Sequence, residues 1–167
     1  MGTNTTIASE RVSAWLNLVQ AGSIVSEALE GALEAEVGLS LAQHEVLVRL
    51  SSASEGRLPM HDVADLLLVS KSGVTRLVDR MVRDGLVERT SCASDRRIVY
   101  AQLTPAGRGK LEEAGPVFVG ALEDAFSAHL ADADVRKLRS TLRKVLEGNG
   151  AWEEDRCTRD LGAGLDA

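Results

Sequence analysis

The chain has 167 residues, is 44% hydrophobic and holds five aromatic side chains (Trp15, Tyr100, Phe118, Phe126 and Trp152), so one domain or a domain plus an appendage is expected, with a helical core of Leu, Val and Ala. No apolar run is long enough for a membrane span and no basic-then-apolar signal pattern opens the chain, which points to the cytoplasm. Net charge is −6, yet residues 57–110 hold ten basic and six acidic side chains, +4 against −10 elsewhere, the pattern of a DNA-reading module in an acidic scaffold.

Residues up to about Ser9 are polar and are expected to be loose. From there to about Glu36, Trp15, Leu18, Gly22, Val25, Leu29 and Leu33 recur at steps of three and four, one face of a long helix. Ser40 with Gln43 three residues on is a capping box. The helix it opens turns Leu47 and Leu50 inward. After Pro59 a short helix buries Val63, Ala64, Leu66 and Leu67.

Val69-Ser70 is the turn before the next helix, and Ser70 caps it. Val74, Leu77, Val78 and Met81 share one arc of that helix, and Ser72, Thr75, Arg76, Asp79 and Arg83 share the opposite arc. Gly85 stops it. Residues 86–92 and 98–103 read as two strands, with Val99, Ala101 and Leu103 inward and Asp95-Arg96-Arg97 at the tip between them. Thr104-Pro105 starts a helix that runs to about Leu130 and bends at Pro116. Asp132 or Asp134 caps a last helix with Val135, Leu138, Leu142 and Val145 on one face, ended by Gly148-Asn149-Gly150. The order is α-α-α-α-β-β-α-α, a recognition helix beside a β-wing. The first and last helices carry more apolar surface than a small winged helix needs, which points to a second copy of the chain.

Three segments in this order resemble the MarR family of winged-helix transcriptional regulators. They are Asp95-Arg96-Arg97 followed by Leu103-Thr104-Pro105-Ala106-Gly107; Ser70 to Arg80 ending in Gly85-Leu86-Val87; and Leu39-Ser40 with Gln43, Leu47 and Leu50. The resemblance covers residues 9 to 148. Ala101 in the second wing strand and Pro116 in the following helix depart from the family pattern, and the tail after Gly148 has no counterpart in it. The fold class expected is mainly α with a small β-wing, a winged helix-turn-helix with long N- and C-terminal dimerisation helices. The expected division is residues 1–38, an N-terminal dimerisation helix; 39–104, the winged helix-turn-helix; 105–148, C-terminal dimerisation helices; and 149–167, a polar, flexible tail.

The expected function is a homodimeric, sequence-specific DNA-binding transcriptional regulator, a repressor released by a small-molecule ligand. Its partners would be double-stranded DNA with a palindromic operator, a second copy of itself and a small aromatic ligand. A helix fits the major groove, where base edges differ. Arg76 is assigned to base reading with Ser72 and Thr75 beside it, and Ser70, Lys71 and Ser72 to phosphates at the helix N-terminus. In similar proteins the arginine matching Arg97 enters the minor groove. Asp95 would brace it and Arg96 would take a phosphate.

The resemblance also implies a ligand pocket between the dimerisation helices and the winged helix, which Trp15 and His44 could line. Core or interface packing is the favoured reading of Trp15, and an ordinary surface position that of His44. No enzyme is expected, since no nucleophile–base pair, paired carboxylates or phosphate-cradling glycine loop is present. No cofactor or metal is expected either; His61 and His129 lack metal-ligand spacing. Cys92 and Cys157 are expected to be free thiols. Two alternatives stay open: a winged-helix protein-interaction module, and a thiol-based redox-sensing regulator using Cys92.

Overall fold

The computed structural model describes residues 3–66, 71–91 and 98–151, with the side chains of residues 3–8, 54, 64–66, 71 and 72 outside that description. Among these residues the chain forms α1 (Thr3–Val37), α2 (Leu41–Ser52), β1 (Arg57–Pro59), α3 (Met60–Leu66), α4 (Lys71–Arg83), β2 (Val87–Ser91), β3 (Val99–Leu103), α5 (Pro105–Ala125) and α6 (Asp132–Gly148). The fold is mainly helical with a small antiparallel sheet, as expected.

The three-four spacing of α1 positions Leu29 and Leu33 on one stripe, and both are buried where α5 packs along the helix. Ser40 then caps α2 as its sequence dictates. Its Oγ accepts from the Gln43 N–H at 3.2 Å, and its own N–H donates to Gln43 Oε1 at 2.9 Å. A carboxylate oxygen of Glu30 accepts from the Leu41 N–H, tying α1 to the start of α2. Val46, Leu47 and Leu50 of α2 enter one core with Val63 of α3, Val74, Val78 and Met81 of α4, and Ala101 and Leu103 of β3. Each large apolar side chain removed from water there contributes about 1.5–3 kcal/mol.

At the end of α4, Gly85 adopts φ +73°, the left-handed turn that glycine takes without steric cost. The Leu86 N–H then returns to the Met81 carbonyl at 2.9 Å, and the chain leaves as β2. Strand order is β1-β3-β2, all antiparallel, with Arg89 opposite Ala101 and Thr90 opposite Tyr100. Thr104 closes the unit. Its hydroxyl donates to the Gly85 carbonyl at 2.7 Å, with the Leu86 carbonyl 3.0 Å away, and accepts from the Gly107 N–H at 2.9 Å. Gly107 presses so closely on Leu86 that a Cβ would lie 2.1 Å from its carbonyl oxygen. The Thr104-Pro105-Ala106-Gly107 run is therefore a cap and a close backbone approach in one segment.

The structure differs from the sequence reading in five places. Helix α1 extends back to Thr3, where a loose segment to Ser9 was expected, because adding residues to an existing helix costs little beyond its nucleus. Strand β1 was not anticipated; it is three residues long and ends in Pro59, which only an edge position tolerates. Helix α5 stops at Ala125 and a 3₁₀ turn, Ser127–His129, replaces the expected run to Leu130. Val99, expected inward, is exposed, while Ala101 and Leu103 are buried. On α6, Asp134 reaches back to accept from the Ala131 N–H at 3.2 Å, so Ala131 holds the cap position itself.

Candidate nucleic-acid interface

Helix α4 owes its orientation to its apolar arc. Val74, Val78 and Met81 are buried and Leu77 is half-buried, so the opposite arc must face out. Thr75, Arg76, Arg80 and Arg83 are exposed there. About three and a half turns of helix thus present a basic, solvent-facing surface on a firmly packed base. The β2–β3 ladder stands beside it, registered from Val87–Leu103 to Ser91–Val99.

Asp79 joins the two elements. Its carboxylate lies 2.7 Å from Arg89 Nη1 on β2, and both side chains are part-exposed. Next to this ion pair an open cavity of about 490 Å³ lies between α3, α4 and the wing strands, lined by Met60, His61, Thr75, Arg89, Ile98 and Val99. His61 is engaged with Asp62 at 2.9 Å. On the other edge strand, the Arg57 guanidinium sits 4.9 Å above the Tyr100 ring.

Of the residues assigned from sequence, Thr75 and Arg76 fall side by side on the exposed arc of α4. Lys71 and Ser72 lie in its first turn, with side chains outside the description. Ser70, Asp95, Arg96 and Arg97 lie outside the described residues, as do Leu67, Cys92, Cys157 and the tail from Trp152. Trp15 is 62% exposed on α1.

His44 is a correction. It is not a surface residue but is 97% buried, its ring stacked on Phe118 of α5 with centroids 4.6 Å apart and planes 16° from parallel. Burial between α2 and α5 lowers its pKa from 6.5, because the apolar surroundings disfavour the charged imidazolium. Neither His44 nor Trp15 lines the cavity beside α4. Sequence reasoning passed over the Asp79–Arg89 pair. Its only signal was an acidic residue on an otherwise basic arc.

Residues 37–98 match a family model described as the MarR family. The HTH-type transcriptional repressor YetL of Bacillus subtilis is 34% identical over 79 residues, which is 47% of this chain and 47% of that protein. The matches span 47%, 62% and 58% of the length of the first three curated relatives. Among solved structures, AbsC, a MarR family transcriptional regulator from Streptomyces coelicolor, is 30% identical, with 84% of this chain and 94% of that chain covered and a TM-score of 0.76. A second MarR family regulator from the same organism, in complex with DNA, is 26% identical over 87% of this chain and 91% of that one, with a TM-score of 0.78.

Proposed function

The chain belongs to the MarR family, and we propose on that premise that it is a homodimeric, sequence-specific DNA-binding transcriptional regulator, a repressor released by a small ligand. Family members are transcriptional regulators, not enzymes. The observation that carries the reading is the outward arc of α4, where Thr75 and Arg76 stand exposed over a buried apolar base beside the β2–β3 wing. In this reading α4 enters the major groove, Arg76 grips a guanine at two points, and Lys71 and Ser72 with Ser70 hold phosphates. Arg97 enters the minor groove, braced by Asp95, and Arg96 takes a phosphate. The relative solved in complex with DNA supports DNA binding as the function of this fold.

Residues 1–38 and 105–148 are the dimerisation helices, residues 39–104 the DNA-binding unit, and residues 149–167 the tail. Support for the dimer comes from α1. The stripe that is buried at Leu29 and Leu33 continues as Val12, Trp15 and Val19, which are 49–62% exposed. On α6, Val135 and Val145 are also exposed. A second copy would cover these faces, and two symmetric recognition helices would read a palindromic operator. For the ligand, the cavity beside α4 has apolar walls from Met60, Ile98 and Val99, which suit a small aromatic molecule. Such a ligand would sit between the recognition helix and the wing and compete with DNA.

Footprinting across the intergenic DNA next to the gene tests the reading. Protection of a palindromic site, weakened by a small aromatic ligand, is the expected result. Equal binding to any duplex would defeat the claim of sequence specificity, and no binding to any duplex would favour the interaction-module alternative.

A further inference from the structure

The Asp79–Arg89 pair has no part in the function as drawn so far. It is no core feature: 47% of the Asp79 side chain and 36% of the Arg89 side chain are exposed, and Arg89 lines the open cavity with Thr75. An exposed ion pair of this kind contributes little to stability. A carboxylate is also the wrong charge for a surface that approaches phosphates. Its neighbours on α4, Arg76, Arg80 and Arg83, are all basic and exposed.

We propose that Asp79 limits the protein's affinity for DNA by withholding Arg89 from the DNA backbone. Sequence-independent affinity comes from cations that displace counterions at phosphates. An arginine already neutralised by a carboxylate at 2.7 Å displaces fewer. The pair thus lowers the background affinity for any duplex. Base reading by Arg76, which is not part of the pair, is left intact. The proposal rests on the DNA-binding reading above and concerns how tightly that surface holds the backbone.

The test is Asp79→Asn, which keeps the shape and removes the charge, with Arg89→Gln and the double variant as companions. Binding of each full-length protein to its footprinted site and to a scrambled duplex is measured across a salt series, with thermal melts to confirm folding. Asp79→Asn should bind both the footprinted site and scrambled DNA several-fold more tightly than wild type, with the specific-to-scrambled ratio unchanged. Two released arginines per dimer should steepen the log–log salt slope by about 1.8, so affinity falls about twelvefold more than wild type's between about 50 and about 200 mM salt. The double variant should return to the wild-type slope, because the effect passes through Arg89. A folded Asp79→Asn protein with an unchanged or shallower slope overturns the proposal, as does a double variant that keeps the steeper slope. Loss of affinity on both duplexes at constant slope would mean that the pair only positions α4, and overturns it too. A wild-type protein that binds no DNA would instead bring down the DNA-binding reading and this inference with it.

Discussion

Replacing Gly107 by alanine should destabilise the protein although it places a better helix former in a helix. The added Cβ would lie 2.1 Å from the Leu86 carbonyl oxygen and 2.9 Å from Leu103 Cδ1. Carbon–oxygen contacts ordinarily begin near about 3.3 Å, so the overlap exceeds an ångström. The Leu86 carbonyl cannot simply retreat, since the Thr104 N–H donates to it at 3.2 Å and the Thr104 hydroxyl lies 3.0 Å away. Overpacking of this kind costs about 3 kcal/mol at the upper end of its usual range, and alanine's helix propensity returns about 1 kcal/mol. The net loss of about 2 kcal/mol corresponds to a melting point about 4–8 °C lower for a chain of this size. Gly109→Ala, two residues on and with nothing within 4 Å of its Cβ, isolates the propensity gain and should raise the melting point slightly. Both variants and wild type would be melted by circular dichroism at one protein concentration, because association shifts the midpoint. A Gly107→Ala protein that melts with wild type, or moves upward with Gly109→Ala, would refute the reasoning.

Burial holds the folded pKa of His44 below its ordinary 6.5. The unfolded chain therefore binds the proton first, and stability is complete above about pH 6.5 and declines as pH falls toward the folded value. His44→Phe, which keeps a ring against Phe118, should lose less stability than wild type between pH 7.5 and 5.5 in denaturant titrations; parallel losses would refute the assignment. Trp15→Glu charges the exposed stripe of α1 and should shift sedimentation from dimer to monomer at micromolar concentration, whereas an unchanged dimer would place the interface elsewhere. Arg97→Ala should flatten the salt dependence of DNA binding by about 0.9 per lost phosphate-like contact, on specific and scrambled duplexes alike. An unaltered slope would remove the wing tip from the interface.

The recognition helix was legible because its information is local. Val74, Leu77, Val78 and Met81 mark the buried arc by spacing alone, so Thr75 and Arg76 had to face out. The caps at Ser40 and Thr104 are equally local and form the hydrogen bonds their spacing implies. His44 was misjudged because its burial comes from Phe118, on a helix far along the chain, and no periodicity within α2 encodes that partner. The Asp79–Arg89 pair needed the angle at which β2 leaves α4, which depends on the left-handed turn at Gly85. Strand β1 exists only because β3 offers it a ladder, with Leu58 opposite Ala101. Its own sequence, three residues with a proline, has no strand signal to read.

The central claim is that the outward arc of α4 reads bases. Its most direct test compares wild type with Arg76→Ala on the footprinted site, on single-base variants of it and on scrambled DNA. Wild type should prefer the footprinted site, and Arg76→Ala should lose discrimination at particular base pairs, each worth about 1–3 kcal/mol, while still binding scrambled duplex. A specific-to-scrambled ratio that stays the same in Arg76→Ala would contradict the account.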